Sequence, residues 1–247
     1  MRAENVFLCA GGIESARLLL INRLGNEHVG RWFMAHPGLQ LFGFFEEETK
    51  PWRGIPGGLL SNAFTRPADA DFAGGYILQS IGVMPLTYAS QLSRSEGTTG
   101  EKLGEHMARF KHLAGINICG ECLPKEENYL ELSGENDRHG LPKPRIHHSR
   151  GPNEEAIYRH GEGTMRSIWE AAGATGIWTF PREAHTLGTC RMSSDPNVGV
   201  VDADHRVHGV RGLYICDNSN YPSSLTTNPA LVQMALSLRL AARFLRT

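Results

Sequence analysis

The stretch VFLCAGGIESARLLL at residues 6–20 contains, in order, the three parts of an α/β unit. Val6–Ala10 is a short apolar run, typical of a buried strand in a parallel sheet. Gly11 and Gly12 predict a tight turn after that strand. From Ile13 to Leu24 the apolar residues recur at helical spacing, and Gly25 is a natural helix stop. The stretch therefore predicts a strand, a turn and a helix in succession.

The middle of the chain has a different pattern. Short runs rich in aromatic and aliphatic residues alternate with Gly, Pro and Asp clusters, which indicates an antiparallel sheet. These runs are Leu39–Phe45, Gly58–Thr65 and Gly75–Val83, with further strands predicted at Leu113–Cys119 and Tyr129–Leu132. Helical spacing predicts helices over Thr98–Lys111 and Asn153–Ala172.

Features of an α/β layer return in the last third. We predict a strand over Leu213–Cys216 and a helix from Pro229 to about Leu245, with Asn228 as its N-cap. Residues 1–37 and 183–247 would then form one part, and residues 38–182 a second part built on the antiparallel sheet. The predicted fold class is mixed α/β.

Composition argues against several classes of function. The 247 residues include 25 Lys and Arg against 26 Asp and Glu, which leaves a net charge of −1. This balance argues against nucleic-acid or anionic-membrane binding driven by bulk electrostatics. No apolar run reaches the roughly 18–20 residues that a membrane helix needs. The first residues lack the pattern of a signal peptide, so the cytoplasm is the default expectation.

The cysteines do not predict a disulfide framework, because there are five and they are widely scattered. Such usage favours a reducing compartment. Cys119 and Cys122 have CxxC spacing, but no second pair follows at zinc-finger spacing. We therefore predict no metal site. The scattered histidines also lack the regular ligand spacing of a metal-dependent hydrolase, which argues against that class of enzyme.

Residues 183–246 hold an ordered series of short motifs. The series runs through His185-Thr186-Leu187-Gly188-Thr189, Val200-Val201-Asp202, Arg206-Val207-His208-Gly209-Val210, Asp217-Asn218-Ser219 and Asn228-Pro229. It resembles the C-terminal signature of the glucose–methanol–choline (GMC) family of flavin oxidoreductases. Residues 10–20 and 29–37 are similar to two further segments of that family. Residues 121–142 resemble its sugar and polyol dehydrogenase branch, which includes pyranose-oxidase-like and gluconate-dehydrogenase-like members.

The resemblance implies a fold, a cofactor and a reaction. The fold would be part of a Rossmann-type FAD-binding lobe packed with an antiparallel-sheet substrate-binding lobe. FAD would oxidise the CH–OH group of a small alcohol, sugar or polyol. His185 corresponds to the catalytic base, which takes the hydroxyl proton while the hydride goes to flavin N5. Asn228 corresponds to its partner, which binds the substrate oxygen. A histidine suits this role because it titrates near neutrality.

The cofactor contacts also follow from the resemblance. The residues placed beside FAD are Gly11, Gly12, Asp217, Asn218, Asn228, Pro229 and Ala230. Other interpretations stay open, since Asn228 could serve only as an N-cap and Asp217 could be an ordinary residue at a strand end. His36 is either structural or close to the flavin. His205 and His208 are expected to be solvated.

The nucleotide-binding fingerprint of such enzymes was not found in the sequence. A Rossmann fold that binds a dinucleotide carries G-x-G-x-x-G between a strand and a helix. Gly161-Glu162-Gly163 fails this pattern, because Arg166 stands where the last glycine is needed. The hypothesis is that the chain is the C-terminal portion of a GMC enzyme, as a fragment or as one half of a split enzyme. Its partner would be the missing FAD-binding portion or an electron-acceptor subunit. The alternative is a non-catalytic subunit.

Overall fold

The computed structural model describes residues 2–55, 57–68 and 70–246. In chain order the strands and helices are β1 Val6–Leu8, α1 Gly11–Asn22, β2 Met34–His36, β3 Gly38–Phe44, β4 Leu60–Ser61, β5 Tyr76–Ile81, α2 Pro85–Glu96, α3 Gly100–Ala108, β6 Leu113–Gly120, β7 Tyr129–Asn136, β8 Pro142–His147, α4 Pro152–Ala171, β9 Thr175–Pro181, β10 Ala184–Leu187, β11 Leu213–Ile215 and α5 Ala230–Phe244. Short 3₁₀ helices span Phe110–His112 and Asn218–Asn220. The mixed α/β prediction is confirmed.

The chain divides into two compact units. Unit 1 comprises Met1–His36, Cys122–Gly151 and Ala184–Thr247, and unit 2 comprises Pro37–Glu121 and Pro152–Glu183. The predicted boundaries near residues 37 and 183 lie within one residue of this division. The division differs for residues 122–151, which the sequence placed with the antiparallel sheet. They belong to unit 1 because the hairpin of β7 and β8 packs on α1.

Unit 1 is built from short paired strands. β1 and β11 pair in parallel, β2 and β10 pair antiparallel, and β7 and β8 form a hairpin. Its largest core cluster joins α1 to the residues around β11 through apolar side chains such as Leu19, Val200 and Ile215. The parallel pairing predicted for β1 is confirmed, but its burial is not. Val6 is 49% exposed and Phe7 is 44% exposed.

Unit 2 is built on one antiparallel sheet in the order β4-β5-β6-β3-β9. Alternate residues of β3 face opposite sides, so Leu39 and Leu41 pack with α4 while Phe42 and Phe44 pack with α2. Helix α2 was not predicted from the sequence, because only Tyr88 and Leu92 are buried on its inner face. None of the helices in the described ranges is long and apolar enough to cross a membrane.

Candidate functional site

His185 lies at an irregularity in the pairing of β10 with β2. Ala184 pairs with His36 and Thr186 pairs with Ala35, so His185 is an extra residue without a register partner. Its φ of 58° is in the left-handed region, which non-glycine residues adopt uncommonly. Bulges of this kind redirect a side chain and are frequent next to active sites. The irregularity brings the half-buried His185 ring against the side chain of His36.

His36 is completely buried at the end of β2. Its Nδ1 lies 3.1 Å from Nδ1 of His185, and the two rings are nearly perpendicular, at 83°. Its Nε2 lies 2.6 Å from the carbonyl oxygen of Ser224 and 3.1 Å from that of Leu225. Burial, with a smaller contribution from the charge of His185, lowers the pKa of His36 to about 4. His36 is therefore neutral near pH 7.

The loop that contacts His36 is held by its own hydrogen bonds. The buried Ser224 hydroxyl accepts from the Cys122 amide at 2.8 Å and donates to the Cys122 carbonyl at 3.0 Å. At the other end of the loop, the Tyr221 hydroxyl donates to the Pro229 carbonyl at 2.9 Å. These contacts fix the backbone that reaches from β11 to α5. Asn228 lies four residues after Ser224 on this same loop.

The predicted N-cap of the last helix is wrong by one residue. The N-cap is Pro229, and no side chain caps the helix. Asn228 is an exposed residue just before the cap. The Pro229 carbonyl accepts both from the Gln233 amide of the helix and from the Tyr221 hydroxyl. The exposed first turn of α5, with its partial positive charge, remains available to a ligand.

Asp217 is occupied by contacts within unit 1. Its carboxylate accepts hydrogen bonds from the Ser15 hydroxyl at 2.5 Å, the Gly11 amide at 3.0 Å and the Ser219 amide at 2.9 Å. These bonds join the first turn of α1 to the end of β11. The side chain at this predicted cofactor position therefore anchors the fold, and Asn218 opens the short 3₁₀ helix that follows.

The two predicted cofactor glycines differ in their surroundings. A Cβ on Gly12 would lie 2.2 Å from the Thr186 carbonyl oxygen, so protein fills the space beside Gly12. A Cβ on Gly11 would meet nothing within 4 Å, and the φ of Gly11 is 86°. Glycine at position 12 lets α1 pack directly on β10, and the contact of Gly12 with a cofactor stays a prediction. Gly11 keeps an open side.

Two residues that organise the site, Ser15 and Ser224, were not predicted from the sequence, and neither was the contact of His36 with His185. Spacing within a motif cannot reveal the His36 contact, because its partner His185 is 149 residues away. The expectation that His205 is solvated is wrong. His205 is fully buried, and burial lowers the pKa of its ring.

Comparisons with known proteins agree with the motif series. Residues 124–237 match the family model for GMC oxidoreductase. The chain is 30% identical to the fructose dehydrogenase large subunit of Gluconobacter japonicus, over 97% of the chain and 46% of that relative. It is 26% identical to 2-methyl-1,2-propanediol dehydrogenase of Mycolicibacterium austroafricanum, over 97% of the chain and 47% of that relative.

A solved structure with the same fold is pyridoxine 4-oxidase from Mesorbium loti. The TM-score is 0.71 at 17% identity, and the alignment covers 98% of the chain and 52% of that structure. The chain thus spans about half the length of each of these three proteins. The motif series, the family model and the alignments over nearly the whole of this chain agree, and the chain is similar in sequence and fold to GMC oxidoreductases.

Proposed function

We propose that the chain contributes the proton-accepting half of an FAD-dependent oxidoreductase that acts on CH–OH donors. The observation that carries the proposal is the position of His185. Its backbone is strained, it lies at a bulge, and its Nδ1 faces Nδ1 of the buried, neutral His36. Backbone strain of this kind clusters at active sites, where the surrounding structure holds it in place. The similarity to GMC oxidoreductases supplies the reaction class, and the names of two relatives, a fructose and a diol dehydrogenase, fit it.

The chemistry divides between this chain and the cofactor. FAD, when bound, accepts the hydride. His185 accepts the hydroxyl proton of the substrate, because a histidine is basic enough to do so near neutral pH. Asn228 donates its side-chain amide to the substrate oxygen and so orients the hydroxyl group. The N-terminus of α5 carries a partial positive charge that favours negative charge nearby.

The residues of unit 1 fit one end of the cofactor. The open side of Gly11 and the exposed first turn of α5, which begins at Ala230, leave backbone accessible. Pro229 directly precedes α5, and Asn218 follows Asp217, whose carboxylate accepts from the Gly11 amide. The carboxylate of Asp217 is already engaged by protein donors, so it supports the backbone of this region. We infer that these residues contact the flavin end and not the adenine end.

We also infer that the adenine end binds to a portion that these 247 residues do not contain, because the sequence lacks the G-x-G-x-x-G fingerprint. Such a portion would be the first partner of this chain, and an electron-acceptor subunit would be another. The purified chain should show no stoichiometric flavin absorbance after incubation with FAD. A yellow 1:1 complex of the isolated chain with FAD would refute this inference.

Unit 2 offers a row of amide side chains on one face of its sheet. Gln40 and Gln79 are both cross-strand neighbours of Asn117, so the three share a face. Gln91 of α2 donates to Gln40 at 2.6 Å. Gln40 is buried, at 6% exposure, so this contact joins α2 to the sheet within unit 2.

The decisive experiment replaces His185 in the flavin-loaded enzyme that contains this chain. His185→Ala should abolish reduction of the flavin by substrate while FAD stays bound, and loss of a general base typically costs about 10²–10⁴-fold. His139→Ala, on an exposed loop of the same unit, is the matched control and should reduce flavin at the wild-type rate. Unchanged flavin reduction in His185→Ala would refute the proposal and favour a non-catalytic subunit.

A further inference from the structure

We propose that His36 is a positioning residue, which fixes the proton of His185 on Nδ1 and thereby leaves the lone pair on Nε2. This inference rests on the proposed role of His185 as the base. It adds a residue on another strand that acts only through His185. The contacts of the two His36 ring nitrogens carry the argument.

The Nε2 atom of His36 must carry a proton. Its two neighbours are the carbonyl oxygens of Ser224 and Leu225, at 2.6 Å and 3.1 Å, and a carbonyl oxygen can only accept a hydrogen bond. A lone pair on Nε2 would face both oxygens and leave a buried nitrogen unsatisfied. An unsatisfied polar group in a buried position is destabilising, so the Nε2–H form is strongly preferred.

The proton on Nε2 determines the state of Nδ1. His36 is buried and neutral, and a neutral imidazole has one donor nitrogen and one acceptor nitrogen. Nδ1 of His36 is therefore the acceptor in its 3.1 Å contact with Nδ1 of His185. Only a His185 tautomer with the proton on Nδ1 can donate in that contact. Neutral His185 then carries its lone pair on Nε2.

The surrounding structure holds this chain of hydrogen bonds in one direction. The Ser224 carbonyl is fixed because the Ser224 hydroxyl binds both backbone groups of Cys122. His36 is fixed by the pairing of β2 with β10. The order of donation is His185 to His36 and His36 to the loop. The tautomer of a histidine is set by the hydrogen bond that its other nitrogen makes.

Two substitutions of His36 separate its two contacts. In His36→Gln, the terminal amide can still donate to the Ser224 and Leu225 carbonyls, but the acceptor toward His185 is lost. In His36→Asn, an amide oxygen can occupy the position of Nδ1 and accept from His185, while the contact with the loop is lost. The two variants are similar in polarity, so a difference between their His185 tautomers reports on the acceptor at the position of His36 Nδ1.

The test is the tautomer of each ring in the ¹⁵N-labelled 247-residue chain near pH 7.5, read from long-range ¹H–¹⁵N correlations. In the wild type we expect His185 protonated on Nδ1 and His36 protonated on Nε2. His36→Asn should keep the Nδ1–H form of His185, whereas His36→Gln should give a mixture of tautomers. A wild-type His185 protonated on Nε2 would overturn the inference, even if both variants failed to fold. So would a His36→Gln chain that keeps the pure Nδ1–H form.

Flavin reduction by the loaded enzyme distinguishes this inference from the proposed function. His36→Gln should slow reduction by up to about 100-fold through misplacement of the base. His36→Asn should stay within a few-fold of wild type. Wild-type rates in His36→Gln would overturn the positioning role alone. If His185→Ala were also fully active, the proposed function would fail, whatever tautomer the spectra show.

Discussion

Replacement of His36 by Gln should reduce the sensitivity of the fold to acid. In the folded chain the pKa of His36 is lowered from 6.5 to about 4, first by burial and then by the charge of His185. Between these two values the unfolded chain binds more protons at this position than the folded chain does. Folding stability from His36 is therefore fully present above about pH 6.5 and is lost progressively as the pH falls toward 4.

The size of this effect follows from the two pKa values. Acidification from pH 7.5 to pH 5 should cost the wild type about 2 kcal/mol of unfolding free energy at His36. His36→Gln removes this titration while its amide can still reach the Ser224 carbonyl. Urea unfolding followed by tryptophan fluorescence at both pH values gives the difference between the chains. His139→Gln, at an exposed position, should keep the wild-type acid loss. Equal losses of unfolding free energy between pH 7.5 and pH 5 in the wild type and in His36→Gln would refute the burial of a neutral ring.

Three further substitutions, with Gly163→Ala as a control, test the contacts around the site by unfolding free energy. Gly12→Ala should destabilise by about 1–3 kcal/mol, because its Cβ would overlap a carbonyl of the neighbouring strand. Gly163→Ala, in the open middle of α4, should instead stabilise by about 0.5–1 kcal/mol, and equal effects would contradict the packing at Gly12. Asp217→Asn should cost about 1–3 kcal/mol, since the hydroxyl of Ser15 loses a carboxylate acceptor. Ser224→Ala should lower the unfolding free energy by a similar amount, because both contacts with Cys122 are lost. An unchanged urea midpoint would contradict a stabilising role for these contacts.

The elements that the sequence predicted well are those with strong local patterns. Helix α4 was predicted over Asn153–Ala172 and spans Pro152–Ala171, because its apolar face repeats over many turns. Helix α2 has two inward apolar residues in twelve, so local periodicity alone could not identify it. The exposure of β1 could not be predicted from the local sequence either. An apolar run indicates which residues can be buried, whereas exposure depends on what packs against the strand.

The site shows the same limit of local patterns. The motif series identified His185, but the partner of His185 lies 149 residues away and belongs to a different strand. A family motif likewise cannot separate a residue that touches a ligand from one that holds the backbone around it. Asp217 and Gly12 lie within segments that resemble motifs of GMC oxidoreductases and were placed beside the cofactor on that ground. In this chain Asp217 joins α1 to β11, and Gly12 permits contact between α1 and β10.

The strained backbone at His185 links these observations. A non-glycine residue in the left-handed region costs of order 1–3 kcal/mol and persists only when its surroundings determine it. The contact with His36 is one such determinant, and it requires a hydrogen bond of defined direction. A purely structural histidine could have occupied a regular strand position, where no strain arises. The bulge instead aims the ring at a buried acceptor, so that the orientation and the tautomer of His185 are set by the same contact.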